Sequence, residues 1–133
     1  MMYELKENIL TAKDYLQLRV AAGWGGSPTE QQIESGLKNS LVTISAVYEN
    51  RIIGMGRLIG DGFITCYIQD LIVCPEYQGK GIGKELVRLI TENYKDYLRI
   101  VLVAYDEEIG FYQNCGFEVG TDKTPMFITS LWT

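Results

Sequence analysis

Residues 63–94 read FITCYIQDLIVCPEYQGKGIGKELVRLITENY, an apolar run followed by a proline, a glycine-rich loop and an amphipathic segment. The apolar run predicts a strand from Phe63 to Val73, and the chain turns at Pro75 because proline cannot donate to a strand ladder. After the loop, apolar residues recur at helical spacing up to Tyr94, at Ile82, Leu86, Leu89 and Ile90. The stretch therefore predicts a strand and a helix joined by a glycine-rich loop.

The segments on either side predict a mixed sheet. Upstream we expect a strand at Tyr3–Ile9, a helix that begins near Thr11, a helix at Pro28–Lys38, and strands from Leu41 and at Arg51–Ile59. Ser27 is the expected cap of the helix at Pro28–Lys38, and Glu30 completes its capping box. Downstream we expect a strand buried on both faces at Arg99–Ala104, a short helix at Asp106–Cys115, and final strands at Phe117–Val119 and Met126–Trp132. Strand, helix and strand in succession imply a crossover and a parallel pair, so the predicted class is mixed α/β.

The glycine-rich loop is suited to binding a phosphate group. The first N–H groups of a helix lack partners within the helix and lie at the positive end of its dipole. Glycines at 79, 81 and 83 remove side chains from this junction, and Lys80 and Lys84 add positive charge. The alternative is that the glycines only form a flexible turn.

Two common phosphate-binding motifs do not fit these residues. The dinucleotide fingerprint needs a third glycine at a position that is occupied here by Lys84 or Leu86, depending on the register. The nucleoside-triphosphate loop needs Ser or Thr after Gly-Lys, and the chain has Glu85 or Gly81 there. A nucleotide-binding α/β domain is therefore disfavoured.

Two motifs that do fit lie on either side of one apolar strand. The first is Gln-x-x-Gly-x-Gly at Gln78, Gly81 and Gly83; the second is Phe-Tyr-x-x-x-Gly-Phe, ending at Phe117. In this order and at this distance they closely resemble the signatures of the GNAT superfamily of N-acetyltransferases. The resemblance implies a mostly antiparallel sheet with one splayed parallel strand pair and about four helices, in a single domain over residues 1–133.

The resemblance also implies acetyl-CoA as the cosubstrate. In the family, the two parallel strands diverge, and the pantetheine arm enters between them and pairs with strand backbone. This assigns pantetheine binding to Leu71, Ile72 and Val73. The pyrophosphate is assigned to the backbone of Gln78, Gly79, Lys80, Gly81, Ile82, Gly83 and Lys84.

Tyr112 matches the family tyrosine that protonates the departing CoA thiolate. The general base is open. Asp70 is the nearest carboxylate, but alternation along the strand points it away from the face shared by Tyr67, Gln69 and Leu71. It either braces the adjoining turn or reaches the site around a β-bulge, and removal of the proton by water, or an amine that binds neutral, remain alternatives.

The expected reaction is acetyl transfer to a primary amine of a small molecule or peptide. Trp24, Tyr67, Gln69 and Tyr105 are candidates for lining the acceptor pocket, together with Trp132, and core packing is the alternative role for the aromatic residues. The competing hypothesis is a non-catalytic acetyl-CoA sensor of the same fold.

Composition excludes several other classes of function. A net charge of −5 disfavours nucleic-acid binding, and the chain has no histidine, which removes a Ser-His-Asp triad and every histidine metal ligand. We expect no metal site and no membrane segment. Three cysteines without paired spacing indicate a reducing, cytoplasmic setting, and a homodimer is left open.

Overall fold

The computed structural model describes residues 1–26, 28–94, 96 and 99–129. Its strands form one five-stranded sheet, β1 to β5 in spatial as well as chain order: Glu4–Glu7, Val42–Tyr48, Arg51–Gly60, Thr65–Val73 and Arg99–Val101. The first four strands are antiparallel neighbours, whereas β4 and β5 run parallel. The sheet confirms the predicted mixed class.

Four α-helices, α1 to α4, occur among the described residues: Ala12–Ala21, Glu30–Lys38, Ile82–Thr91 and Ile109–Asn114. Short 3₁₀ turns lie at Pro75–Tyr77, Glu92–Tyr94 and Asp106–Glu108. The helix number agrees with the fold implied by the sequence motifs.

Two apolar clusters lie on opposite sides of the sheet. The first joins α3 to one face of the strands, and its fully buried helix residues are Ile82, Leu86, Val87 and Ile90. The second joins α1 and α2 to the other face through Tyr15, Leu18, Ile33, Met55 and Ile72. Each large apolar side chain buried in this way contributes about 1.5–3 kcal/mol, so the strong amphipathicity of α3 suffices to fix it on the sheet.

The first predicted helix start is confirmed. Thr11 caps α1, and Asp14 completes the reciprocal capping box. The start predicted for α2 is wrong: Pro28 stays outside the helix, Thr29 is the cap, and Gln32 completes the box. Ser27 lies outside the described residues. The capping pair in the structure lies two residues after the predicted pair, and both pairs fit the capping-box pattern, so the sequence alone does not distinguish them.

Strand β4 begins at Thr65, two residues after the predicted start. Asp61 accounts for the difference, because its Oδ1 accepts backbone hydrogen bonds from Phe63 at 2.7 Å and Ile64 at 2.8 Å. These bonds, led by that of Ile64, lower the pKa of Asp61. A backbone folded around this carboxylate cannot at the same time extend into the sheet.

The end of the sheet differs most from expectation. Strand β5 is limited to Arg99–Val101 and is an edge strand, so the prediction of a central strand buried on both faces is wrong. No strand forms at 117–119 or at 126–129; residues 130–132 of the last predicted strand lie outside the described residues. A strand needs a hydrogen-bonded neighbour, and none lies beyond β5 in the described part of the chain.

Candidate active site

The loop before α3 presents open backbone. Gly81 is the N-cap of α3, has a φ of 84° and makes no side-chain capping bond. Gly79 has a φ of 79°, and a Cβ atom added at either glycine would meet nothing within 4 Å. Both glycines therefore allow a left-handed backbone and leave the first turn of α3 accessible.

Gly83, unlike Gly79 and Gly81, lies against another side chain. A Cβ atom here would lie 3.2 Å from Cζ of Phe111, on α4. The missing side chain lets the ring of Phe111 pack directly on the first turn of α3. The structure thus shows a packing role for Gly83, and its part in phosphate approach stays a prediction.

The two sequence motifs meet in space. One contact between them is that of Gly83 with Phe111. A second is electrostatic: the charge of Lys84 lowers the pKa of Cys115, although the effect of burial is larger and the net shift of this pKa is upward. Residues separated by β5 in the chain are therefore neighbours beside the α3 start. This proximity places Tyr112, which follows Phe111, next to the glycine-rich loop.

Gln78 and Ile82 stabilise the loop with their side chains. Gln78 Nε2 donates a hydrogen bond of 3.0 Å to the backbone oxygen of Val73, at the end of β4. Ile82 is buried in the first cluster, so only its backbone faces the loop. Lys80 and Lys84 are exposed, and their ammonium groups are available to an anion.

The parallel pair is short. It extends from Thr65 opposite Arg99 to Tyr67 opposite Val101, whereas β4 continues to Val73. Among the described residues, the part of β4 beyond Tyr67 has no strand partner on the β5 side. Leu71, Ile72 and Val73 therefore lie on an open strand edge, as required for an added extended ligand.

A β-bulge interrupts β4 at Gln69. The register pairs Leu58 with Ile68 and Arg57 with Asp70, so Gln69 has no partner on β3. An extra residue in one strand reverses which face the following side chains occupy.

The bulge changes the expected distribution of side chains. Cys66 and Ile68 belong to the cluster against α3, and Leu71 packs against that same cluster. Tyr67, between Cys66 and Ile68, therefore faces the other side, toward α1 and α2. The expectation that Tyr67 and Leu71 share a face is wrong, because it assumed uninterrupted alternation.

Asp70 faces α1 and α2, and is buried. Its Oδ2 accepts hydrogen bonds of 3.0 Å from the hydroxyl of Tyr15 and from Nη1 of Arg57. Arg57 Nε in turn donates to Ser40 Oγ at 2.9 Å. These bonds connect α1, β3, the end of α2 and the bulge. Burial first, and then the charge of Asp70, raise the pKa of Tyr15.

Tyr67 spans the opening between the parallel strands. The backbone of Val103 lowers the pKa of Tyr67, but burial has the larger effect and the net shift is upward. Tyr67 therefore lies close to the chain that follows β5.

Tyr112 is half-buried between two aromatic rings. Its ring centroid is 5.0 Å from that of Phe111 and 6.0 Å from that of Phe117, both in edge-to-face geometry. Burial, followed by the charges of Glu108 and Cys115, raises the pKa of Tyr112 to about 12. The phenol is therefore protonated throughout the neutral range and is a proton donor, never a base, at that pH.

Glu108 is a carboxylate that the sequence reasoning missed. It precedes Tyr112 by one helical turn, and burial, followed by the charge of Glu107, raises the pKa of Glu108. Its effect on the pKa of Tyr112 shows that the two side chains are close. The spacing of four residues before Tyr112 was the available signal.

The four pocket candidates lie on different elements of the fold, and their role in lining an acceptor pocket stays a prediction. Trp24 packs on the second cluster, with the guanidinium of Arg19 5.4 Å from its ring centroid. Tyr67 lies at the strand opening, Gln69 is exposed at the bulge, and Tyr105 is half-exposed after β5. Trp132 lies outside the described residues.

Comparison with known proteins decides the family. The family model described as the acetyltransferase (GNAT) domain matches residues 39–119, which contain the open loop, the bulge and Tyr112. The chain belongs to the GNAT superfamily of N-acetyltransferases. It is 36% identical over 107 residues to an uncharacterized N-acetyltransferase ycf52-like protein of Prochlorococcus marinus, a match covering 76% of this chain and 59% of that protein.

Two solved structures share this GNAT fold over nearly their whole length. The GNAT family acetyltransferase SP0256 of Streptococcus pneumoniae is 34% identical, with a TM-score of 0.86, and the match covers 97% of this chain and 98% of that one. The probable acetyltransferase SA2161 of Staphylococcus aureus is 32% identical, with a TM-score of 0.87 and coverage of 96% and 99%. The chain spans about 60% of the length of the curated relatives it matches first.

The described residues are also compatible with neither a metal cluster nor a membrane-spanning helix. No group of three or more potential metal ligands occurs in the described part of the chain. Within the same residues, no helix is long and apolar enough to cross a membrane. A cytoplasmic location stays a prediction.

Proposed function

We propose that residues 1–133 act as one acetyl-CoA-dependent N-acetyltransferase domain that transfers the acetyl group to a primary amine. The observation that supports it most strongly is the contact between Gly83 and Phe111, which brings the uncapped start of α3 beside the half-buried phenol of Tyr112. A site for an anion and a proton donor for a leaving group are thereby neighbours. Acyl transfer from a thioester attached to a pyrophosphate needs both.

The loop fits the pyrophosphate. Gly79 and Gly81 have open space where their side chains would be, and the first N–H groups of α3 have no side-chain cap. Exposed Lys80 and Lys84 supply positive charge. Leu71, Ile72 and Val73 would hold the pantetheine arm through the open edge of β4, as an added strand would be held.

In the proposed reaction a neutral amine attacks the thioester carbonyl carbon. A backbone N–H near Val73, at the open edge of β4, stabilises the oxygen as negative charge develops on it. Tyr112 then donates its proton to the sulfur that leaves. Its high pKa keeps the proton on the phenol until the thiolate forms, so the donor is present at every physiological pH.

We assign Asp70 a positioning role instead of direct proton removal. Its carboxylate is buried, and its Oδ2 already accepts bonds from Arg57 and Tyr15, so the charge is paired and little of the group is accessible to an incoming amine. It braces the bulge that brings Asp70 itself to the face that Tyr67 occupies. Proton removal then belongs to water, or to Glu108, which lies one helical turn before Tyr112.

The second candidate is an acetyl-CoA sensor without turnover. The engagement of Asp70 favours it, because no described carboxylate on β4 is left as a free base. Turnover separates the two functions. Release of CoA thiol in the presence of one of a panel of primary amines supports the enzyme, whereas tight binding with no turnover on any amine supports the sensor.

The cosubstrate is tested by thermal unfolding with acetyl-CoA, CoA, NAD and ATP. A ligand at a hundred times its dissociation constant stabilises a folded protein by about 2.7 kcal/mol. We expect acetyl-CoA and CoA to raise the melting temperature and NAD to leave it unchanged. ATP shares part of CoA and should have a small effect. Equal shifts with NAD and acetyl-CoA would refute the assignment.

A further inference from the structure

Strand β4 can pair with β3 in two registers beyond Ile68. In the structure Gln69 has no partner on β3, and Asp70 lies opposite Arg57. Without the bulge the ladder would continue regularly, and Asp70 would lie opposite Gly56 instead. A regular ladder leaves no residue of the strand unpaired, so some interaction must favour the bulged register over it.

The residues after the bulge fit either register. Residues 71–74 read LIVC and are all apolar. In the structure Leu71 packs against the cluster beneath α3, and Ile72 belongs to the cluster beneath α1 and α2. Because both faces of the sheet are apolar here, exchanging these side chains between the faces has a small energetic effect. Hydrophobic patterning therefore does not determine the register.

Asp70 is the residue that distinguishes the two registers. A Cβ atom at Gly56 would lie 3.1 Å from Cδ1 of Ile90, which is fully buried on α3. Directly opposite residues share a face, so the regular register would direct the Asp70 carboxylate into the α3 cluster. Burying a charge there without a partner costs more than leaving one residue out of a ladder.

The bulged register supplies the partners of this carboxylate. Asp70 is 3% exposed, and its Oδ2 accepts bonds of 3.0 Å from Nη1 of Arg57 and from the hydroxyl of Tyr15. Arg57 Nε donates to Ser40 Oγ at 2.9 Å, and Ser40 Oγ donates to the backbone oxygen of Gly36 at 2.7 Å. The end of α2 thus holds the guanidinium in place for Asp70. Specifying a register is the best-attested role of a buried ionic group.

The register affects the edge of β4 that is assigned to pantetheine. Successive N–H groups of a strand point alternately to its two sides. A shift of one residue therefore exchanges the N–H groups that face β3 for those that face the open edge at Leu71–Val73. An arm that extends from the α3 loop along this edge ends near the bulge. The register thus sets both the hydrogen bonds of the arm and the position of its thioester.

We propose that Arg57, through its ion pair with Asp70, fixes the β-bulge of β4 and is thereby a positioning residue for acetyl transfer. The pair selects the register of Leu71–Val73 and so places the thioester beside the bulge. Arg57 acts through Asp70 and touches neither substrate. This catalytic consequence rests on the proposed function, whereas the register can be measured without a ligand.

The test is a triple variant in which apolar residues of similar size replace the network, Tyr15→Phe/Arg57→Met/Asp70→Leu. Such replacements of buried ionic groups often maintain or raise stability, so we expect unfolding in urea close to that of the wild type. NMR contacts of Gly56 with Leu71 across the ladder should be present in the wild type and weakened or lost in the variant.

Binding and turnover of the triple variant measure the consequence of a changed register. Acetyl-CoA affinity should fall about tenfold, because the pantetheine arm loses a hydrogen bond. Affinity for adenosine diphosphate, which has the pyrophosphate without pantetheine, should be unchanged. Turnover should fall on the order of 100-fold, the usual effect of misplacing a reacting group by about 1 Å.

The double variant Arg51→Met/Glu76→Leu is the matched control. It removes an exposed ion pair of 3.8 Å between the start of β3 and the segment after β4. It should leave the NMR contacts and the turnover at saturating acetyl-CoA as in the wild type. If the triple variant does not fold, Arg57→Lys and Arg57→Gln replace it. The lysine keeps the charge and should retain the register, whereas the glutamine should weaken both the NMR contacts and turnover.

Three outcomes contradict the proposal or the function beneath it. Unchanged cross-strand contacts in a folded triple variant would show that the ion pair does not set the register. An altered register with full turnover would remove the positioning role of Arg57. A wild type that neither binds acetyl-CoA nor acetylates any amine would refute the proposed function and the catalytic role of Arg57 with it, and the NMR contacts would still decide the register.

Discussion

The helices on the two sides of the sheet differ in how the N–H groups of their first turns are satisfied. On one side, the N-termini of α1 and α2 are capped by side chains, and we call this the closed side. Thr11 Oγ1 accepts a hydrogen bond of 3.1 Å from the N–H of Asp14, and Thr29 Oγ1 accepts one of 3.2 Å from the N–H of Gln32. On the other side, α3 begins at Gly81 with no side-chain cap. A side-chain cap usually contributes about 1 kcal/mol.

The difference shows where each helix obtains its stability. Helix α3 compensates for the missing cap by burying Ile82, Leu86, Val87 and Ile90 completely. The α1–α2 side also contains the Asp70 network, so its polar groups are largely satisfied within the protein. The α3–α4 side keeps its donors available, and we interpret that as the mark of the ligand-binding side.

The largest expected effect separates chemistry from binding on the open side. Tyr112→Phe should lower turnover about 100- to 10,000-fold and leave acetyl-CoA affinity nearly unchanged, because the ring still packs between Phe111 and Phe117. Steady-state rates with a confirmed amine, together with calorimetric titration of acetyl-CoA, measure the two effects.

The pH profile is the control for this variant. Because the pKa of Tyr112 is raised to about 12, the phenol stays protonated until well above its ordinary range. The ratio of wild-type to Tyr112→Phe rates should therefore be constant from neutral pH to about pH 10. A ratio that falls with a midpoint in this interval would contradict the assigned pKa, and full turnover would remove Tyr112 from the chemistry.

The next effect concerns the closed side. Asp70→Asn removes the buried negative charge that pairs with the partly buried Arg57, and breaking a buried ion pair costs about 3–5 kcal/mol. We expect a lower free energy of unfolding in urea and reduced activity at every pH. The matched carboxylate variant is Glu108→Gln, which should retain stability and, if Glu108 is the base, lose activity mainly below the pKa of the amine.

These two variants can contradict the assignment directly. Normal stability of Asp70→Asn, with activity lost only at low pH, would make Asp70 the base and not a brace. Unchanged activity of Glu108→Gln at all pH values would leave proton removal to water.

A third variant places a charge at the open helix start. Gly81→Asp should weaken CoA binding on the order of 100-fold, because two like charges about 4 Å apart repel by ~1 to 4 kcal/mol. Gly81→Asn is the matched neutral control, since both residues tolerate a left-handed backbone better than other side chains. Valine would add backbone strain to the steric effect and is less informative.

The pair gives a clear outcome. Equal CoA affinity of Gly81→Asp and Gly81→Asn, in folded proteins, would mean that no phosphate lies near the start of α3. Raising the salt concentration should reduce the difference between them, because ions screen exposed charges.

The smallest effect tests the caps of the closed side. Thr29→Ala should lower the free energy of unfolding by about 1 kcal/mol, because one N–H in the first turn of α2 loses its acceptor. CoA affinity should be unchanged. A loss of CoA affinity comparable with that of Gly81→Asp would remove the distinction between closed and open helix starts.

Much of the site was readable from local sequence. The Gln-x-x-Gly-x-Gly motif placed the loop correctly, and the pairing of Thr11 with Asp14 identified a helix start, because both depend on residues close together in the chain. A β-bulge that brings Asp70 to the face of Tyr67 was one of the alternatives, but the sequence could not decide it, since the position of the bulge is set by pairing with Arg57 on another strand. Glu108 was missed because no sequence motif includes it, and its proximity to Tyr112 follows from the turn that precedes α4.

The sequence by itself determined the mixed sheet, the glycine-rich loop before α3 and the two motifs that identify the family. Short-range periodicity and glycine positions suffice for these features, because they act over a few residues. Only the tertiary structure decided that Gly83 contacts Phe111, that Asp70 is engaged by Tyr15 and Arg57, and that residues 117–119 and 126–129 form no strand beside β5. Each of these depends on contacts between residues distant in the chain, and no local pattern encodes which distant partner a side chain or strand edge will find.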